Sequence, residues 1–500
     1  MTNNEPSRRD WLQAAGAAGL AALGSFTGPS LLKATDHAGN AVVDIGSRRE
    51  LFVDDLLIDR LDGVRLNLNS PRPSGVALQY DRPWEGEFSF VPIVINDGDT
   101  YHMYYRALPP WKKNEPLVES TCYAVSDDGI HWTKPNLGLI ELMGSKKNNA
   151  IFAGSGLRPF LDTRPGISAD ERLKALMAPP RRNTKIGVRV YASSDGVHWR
   201  LMREEAVYSG DVTGSLFWHP VEQRYVQYAR DKGNRIRTIS RATSPDLFAW
   251  SEFVAVNFTN DQPTVEEQFY QNATQPYFRA PHITISLVAR FMANRRVLSD
   301  EQLKAIQRHE LGGGGKGIAD TILMAGRAGS NRFDRTFLEA FIRPSPGDHN
   351  WVSRTNYPGN GIVPTSAGEM SIYVNRHYGQ PTNHVQRLTM RTDGFASVRA
   401  GYRGGEMVTK PLTFEGDQLE INYATSAAGN LQVEIQDVAG HPFSGFSLAE
   451  CPQIIGDRIE QTVGWNTRGN VSALAGKPVR LRFVMRDADL YSLRFRKQNA

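Results

Sequence analysis

The chain has 500 residues, 40% hydrophobic and 22% charged, an ordinary globular composition with length enough for two or three domains or one large propeller. Its 58 basic and 53 acidic residues are interspersed for a formal net charge of +5, and no basic stripe interleaved with aromatics runs along it, which argues against a nucleic-acid partner. The 45 glycines and 28 prolines fit a turn-rich β protein, while the two cysteines, Cys122 and Cys451, fall in segments expected in different domains and predict no disulfide.

The chain opens on a targeting signal. Ser7-Arg8-Arg9-Asp10-Trp11-Leu12 has the form of a twin-arginine export motif, and the Ala/Gly-rich run at 12–26 is too short and small-sided for a membrane span. Residues 1–41 are therefore expected to be a signal segment, cleaved between Ala34 and Ala41, and the protein to be exported to the periplasm or beyond. No cysteine follows the run to carry a lipid anchor, and no other stretch reaches transmembrane length.

Residues 49–58 read as a strand, a candidate outer strand closing a ring. A hairpin follows at 90–95 and 101–106 around Asn96-Asp97-Gly98-Asp99, with a third strand at 121–125. Further units are predicted at 159–162, 173–177 and 187–192, and at 214–218, 225–228 and 235–240. A fourth takes 275–278, 283–288 and 321–324, interrupted by a charged helix at 295–310 and the glycine run Gly312-Gly313-Gly314-Gly315. The fifth takes 361–363, 370–375 and 386–390.

A short pattern punctuates these units. Ser126-Asp127-Asp128-Gly129-Ile130-His131-Trp132 returns as Ser193-Ser194-Asp195-Gly196-Val197-His198-Trp199 and, weakened, as Ser244-Pro245-Asp246-Leu247-Phe248-Ala249-Trp250. Gly accepts positive φ and Asp bonds its own backbone, so the pair turns the chain and lets the Trp pack back over the strand just left. Fainter corners fall at Ala328-Gly329 with Phe333 and at Asp393-Gly394-Phe395. Five such corners predict five repeated sheet units: an all-β, five-bladed β-propeller over 42–398. Beyond it, strictly alternating strands at 419–423, 431–435, 479–484 and 490–495 predict a C-terminal β-sandwich over 399–500.

This combination resembles the invertase/levanase and arabinanase/xylosidase superfamily of glycoside hydrolases (families 32, 43, 62 and 68). It is closer to an exported bacterial group related to them, through Pro83-Trp84-Glu85-Gly86, Asn136-Leu137-Gly138-Leu139, Gln275-Pro276-Tyr277-Phe278-Arg279-Ala280-Pro281-His282 and Glu339-Ala340-Phe341-Ile342-Arg343-Pro344. The resemblance implies a site at one end of the central funnel, with acids from the starts of the inner strands of blades one to three. Glycoside hydrolysis usually needs two carboxyl groups, an acid and a base or nucleophile. Asp162, in Phe160-Leu161-Asp162-Thr163, is similar to the Phe-Arg-Asp-Pro motif, whose Asp stabilises the transition state; the alternative is a turn-capping Asp. Asp211 opens the third unit's inner strand, where the family places a Glu acid. Glu85 is the first-blade candidate, against the alternative of a loop Glu bonding backbone amides, with Glu87 beside it and Trp84 placed to stack on a sugar. Glu266 and Glu267 are in reserve, and Arg279, His282, Arg376 and His377 are candidate readers of an acidic sugar unless they pair with carboxylates of the fold.

The expected function is an exported glycoside hydrolase acting on poly- or oligosaccharides. The rivals are a non-catalytic carbohydrate-binding propeller and a glycoside phosphorylase. No cofactor motif is present, although a structural calcium ion is compatible with such folds. Gly-x-Ser-x-Gly does not occur, and the glycine run leads to Lys316-Gly317 rather than to the Ser or Thr of a phosphate-binding loop.

Overall fold

The computed structural model describes residues 42–498 apart from 111–117, 155, 178–186, 209–211, 232–235, 310–315 and 467–468. The expected leader, the glycine run and Asp211 lie outside the described residues.

Five antiparallel sheets form the blades of a propeller. Blade 1 holds Phe90–Asn96, Tyr101–Ala107, Ser120–Ser126 and Ala150–Ala153, and blade 2 holds Leu157–Leu161, Leu173–Met177, Arg189–Ser193 and Arg200–Leu201. Blade 3 takes Gly214–His219, Arg224–Asp231, Thr238–Ser244 and Val254–Ala255. Blade 4 takes Glu267–Tyr277, Ala280–Met292, Ile318–Arg327 and Arg332–Asp334, with Asn257–Phe258 parallel to the last. Blade 5 holds Tyr357–Ser366, Glu369–Arg376 and His384–Arg391. The first strand of each blade is the innermost, and successive inner strands are neighbours around the ring.

The corners form as their residues dictate. Ser126 Oγ accepts the Gly129 amide at 2.9 Å, and Asp128 Oδ1 accepts the amides of Ile130 and His131 at 2.7 and 2.8 Å. Ser193 and Asp195 repeat this on Gly196, Val197 and His198. In the third copy Leu247 takes the glycine position at φ 74°, held by the Ser244 hydroxyl at 2.9 Å. Trp199 and Trp250 fold back, their indoles donating to the carbonyls of Gly196 and Leu247 at 3.0 and 2.8 Å.

The ring closes differently from the expectation. Of residues 49–58 only Glu50–Leu51 is a strand in the body of that segment, and it pairs with Leu493 and Ser492 rather than with a blade strand. The outer strand of blade 5 is instead Arg72–Gln79, antiparallel to His384–Arg391 with Leu78 opposite Val385. Its Pro73 and Gly75 argue against a central strand, but an exposed edge tolerates a missing donor. The inner strands of blades 5 and 1 meet at a parallel bridge, Asn360 to Ile93. There Gly361 (φ 111°) lies so close that an added Cβ would stand 2.2 Å from the Val94 carbonyl. The charged segment before the glycine run is helical only over Asp300–Ala305, begun by a Ser299/Gln302 capping box.

The C-terminal sandwich is built on two long paired strands, Gln418–Gln436 and Arg480–Arg496. Phe414 stacks on Phe495 at 3.6 Å within a core that includes Leu431, Trp465 and Phe483. Residues 43–68, expected in the propeller, belong by strand pairing to this unit. Val43–Gly46 runs parallel to Leu412–Phe414, Ile58–Asp62 pairs with Gly405–Thr409, and Val64–Leu68 pairs with Ala396–Ala400. The propeller is therefore an insertion between strands of the sandwich. Cys122 and Cys451 are both buried and unbridged.

Candidate functional site

Two expected catalytic acids are consumed by the scaffold. Glu85 is 2% exposed: its carboxylate accepts the Tyr105 hydroxyl at 2.5 Å, Lys134 Nζ at 2.6 Å and the Arg82 amide at 3.0 Å. Trp84, partly buried, packs on the same core and donates its indole N–H to Asn149 at 2.9 Å. Asp162 follows the end of the blade 2 inner strand rather than its start, which places it at the rim opposite the expected site. There it pairs with Lys174 at 2.5 Å, accepts Tyr225 from blade 3 at 2.7 Å and caps the Arg164 amide at 3.0 Å. Lys174 points inward from the second strand of the blade, so Asp162 neutralises a buried ammonium.

Arg279 and His282 also lie away from the mouth, at the seam between propeller and sandwich. Arg279 pairs with Asp393 at 3.1 Å and with Glu460, and His282 faces Glu50 at 2.9 Å. Arg327 joins the same network through Glu50 at 2.5 Å and Asp54 at 2.8 Å, and the buried Arg49 through Glu420 at 2.5 Å. Burial pushes the Glu50 carboxyl up, but Arg327 and His282 outweigh it and bring the group down to about 2.

The mouth of the ring, where inner strands begin, holds a different set of residues. Tyr270, on the blade 4 inner strand, is half-buried against Phe291 and Tyr357, with ring centroids 5.7 and 5.3 Å away. Arg237 lies 4.6 Å and Arg230 5.2 Å from the centre of its ring, both from blade 3. Arg354, just before the blade 5 inner strand, acts on the same phenol through its charge. Burial raises this phenol, yet Arg354, Arg230 and Arg237 together hold it below its ordinary value. Gln268 fixes Arg237 through a 2.5 Å bond. Among the described residues no carboxylate forms an ion pair with Arg237 or Arg354. The hydroxyl of the fully buried Tyr357 has no hydrogen-bond partner there.

The aromatic wall continues from Tyr357 to Phe90, 5.5 Å away, and on to Tyr378 at 4.9 Å. Arg354 and Arg308 lie over Tyr378 at 5.7 and 5.6 Å, and Arg106 over Phe90 at 5.7 Å. Of the expected readers, Arg376 belongs to this end. It is buried on Asn356 and Gln386, without a carboxylate among the described residues, and burial lowers it to about 10. His377, at φ 55°, stacks on His349 at 4.9 Å and meets His384 at 4.8 Å; burial and these neighbours lower it to about 3. Glu87 faces His309 at 3.2 Å, and Glu267 pairs with Arg335 at 2.9 Å. No group of three or more His, Cys, Asp or Glu among the described residues is arranged to hold a metal ion.

Sequence reasoning missed Tyr270, Arg230, Arg237 and Arg354. One signal was present: an arginine lies within the last three residues of the second strand in four blades, in Tyr105-Arg106, Ala229-Arg230, Ala289-Arg290 and Asn375-Arg376.

No family model matches the chain. A curated relative, an uncharacterized protein of Mycobacterium tuberculosis, is 29% identical over 115 residues, 23% of this chain and 34% of that protein. The chain thus spans about a third of the length of the curated relative it matches. Similar solved structures include a GH32 beta-fructofuranosidase of Bombyx mori, 11% identical over 86% of this chain and 96% of that one, with a TM-score of 0.38. An N-acetylgalactosamine deacetylase from F. plautii is 14% identical over 66% and 96%, with a TM-score of 0.41. A GH130-family structure is 13% identical over 67% and 95%, with a TM-score of 0.36. The blade count rests on the strand pairing, not on these likenesses, and five blades with an appended sandwich are the architecture that the sequence motifs implied.

Proposed function

We propose that the protein is glycan-active and that the mouth of its propeller takes an anionic saccharide, a uronate or sulfate ester. The observation that carries this reading is the presence of Arg237 and Arg354 on either side of Tyr270 with no carboxylate paired to them among the described residues. A cation held in a partly buried site is costly unless an anion meets it. Guanidinium groups bind carboxylate and sulfate through two parallel hydrogen bonds, and the aromatic wall beside them offers faces for sugar rings. The motif resemblance to glycoside hydrolases supports a saccharide over other anions. It does not by itself support hydrolysis, because Glu85 and Asp162 are engaged elsewhere.

A second reading is favoured by the same arginines: they would also hold inorganic phosphate, as a glycoside phosphorylase requires. The test is calorimetric titration of the mature protein with a uronate polymer, a sulfated glycan, a neutral β-glucan and phosphate, each at two salt concentrations. Salt-sensitive binding of the charged glycans alone is expected. Equal binding of the neutral glycan would remove the reading, and binding of phosphate with phosphate-dependent cleavage would replace it. Export through the twin-arginine motif is part of the proposal, resting on Ser7-Arg8-Arg9-Asp10-Trp11-Leu12.

A further inference from the structure

Tyr270 stands out from the other buried phenols. Tyr80, Tyr104, Tyr105 and Tyr357 are all raised by burial, whereas Tyr270 alone among them is drawn down by surrounding guanidinium groups. The cations come from two flanking blades. Arg230 and Arg237 lie over its ring from blade 3, and the charge of Arg354, which lies 5.7 Å over the Tyr378 ring, acts on it from the blade 5 side. On its own sheet it meets Phe291, which is apolar. Tyr357, the other neighbouring phenol, has a hydroxyl with no partner among the described residues. A phenol so placed is suited to moving a proton, and the cations beside it are suited to holding an anion while charge develops on it.

We propose that Tyr270 is the proton-transfer residue of a β-elimination that cleaves uronate-containing polysaccharides, with Arg237 and Arg354 holding the uronate carboxylate. The proposal rests on the reading that the mouth takes an anionic saccharide. Pairing of the C5 carboxylate with guanidinium groups stabilises the negative charge that forms when the C5 proton leaves. The Tyr270 phenolate takes that proton. The C5–H electron pair becomes the C4=C5 double bond, and the C4–O4 bond breaks with its electrons on O4. The phenol then returns the proton to O4, which regenerates the phenolate. No water, metal or oxidant enters the balance. The products are a 4,5-unsaturated uronate and a saccharide with a free hydroxyl where O4 was bonded. This route needs no pair of catalytic carboxylates, in keeping with the engagement of Glu85 and Asp162 in the scaffold.

The experiment uses the mature protein with alginate, polygalacturonate and a glucuronan, and a neutral β-glucan as control. Ultraviolet absorbance reads the conjugated unsaturated uronate, and mass spectrometry reads whether the product is one water lighter than a hydrolysis product. Binding is measured in parallel by calorimetry. The expected result is an unsaturated product from at least one uronate polymer, with Tyr270→Phe lowering its rate at least about 100-fold while binding persists. The wild-type rate should also rise with pH through a midpoint below that of an ordinary phenol, because the base must be ionised while the facing arginines keep their charge. This profile keeps the test decisive even where the Phe variant folds poorly.

Saturated products, full activity in Tyr270→Phe, or a pH-independent rate would each overturn the elimination. Binding of uronates without cleavage would overturn it too, while leaving the anionic-saccharide reading in place. Absence of any binding would overturn both.

Discussion

Asp162→Asn is expected to injure the fold rather than the chemistry. The amide keeps the carboxylate's size and can still accept the Arg164 amide or the Tyr225 hydroxyl. It cannot neutralise Lys174, whose side chain is 2% exposed and whose other carboxylate is Glu171 at 3.8 Å. Removing one partner of a buried pair leaves an uncompensated charge, which costs about 3–5 kcal/mol. Chemical denaturation, followed by circular dichroism, should show that loss, while calorimetric binding of an anionic glycan at low denaturant stays unchanged. The double variant Asp162→Asn with Lys174→Met removes the orphaned ammonium and should recover more than half of the stability. A loss below about 1 kcal/mol would refute the reasoning, since the pair would then be solvated or dispensable. So would a double variant no better than the single one. Lost turnover at unchanged stability would return Asp162 to the catalytic role that its motif implied.

Arg354→Met should weaken binding of a uronate polymer about 10- to 100-fold and flatten its salt dependence, as expected for loss of a charge-assisted hydrogen-bonding group; calorimetry at two ionic strengths checks this. Glu50 is brought to about 2 from a reference value of 4.5, so its contribution is fully present above 4.5 and is lost as pH falls towards 2. That contribution is about 3 kcal/mol, and unfolding midpoints across this range should fall for wild type and stay flatter for Glu50→Gln. Gly361→Ala, at φ 111° against the Val94 carbonyl, should loosen the junction of blades 5 and 1, read as faster hydrogen exchange along both inner strands. Arg8→Lys with Arg9→Lys should strand the protein in the cytoplasm, as cell fractionation would show, because lysine keeps the charge without the guanidinium pair.

The blades were legible because their corners are local. Ser126, Asp128 and Gly129 satisfy one another within four residues, so the turn is written in consecutive letters, and even Leu247 in the glycine position leaves the third copy readable. The share of the sandwich held by residues 43–68 was not legible, because its strands find partners several hundred residues away, as Val64 does opposite Ala400. Those strands are short and joined only by Gly63, and they pair not with each other but with Gly405–Thr409 and Ala396–Ala400. The site was hidden for a related reason. A motif can mark Asp162 as an acid, but only the fold shows that Lys174 and Tyr225 have claimed it. Likewise Arg237, Tyr270 and Arg354 come from three parts of the chain, Tyr270 from a strand and the two arginines from the residues just before one.

The interruption of the sandwich by the propeller has a consequence for how the molecule is made. Val64–Leu68 and Glu50–Leu51 are synthesised hundreds of residues before their partners Ala396–Ala400 and Arg480–Arg496. Arg72–Gln79 must likewise wait for His384–Arg391 before the ring can close. Residues 42–79 therefore stay unpaired until those distant partners emerge. A chain stalled or cut before Arg480 would carry five blades without the strand that anchors both ends. The strands made first are thus the last to be paired, each waiting on a partner that lies beyond the blade 5 inner strand.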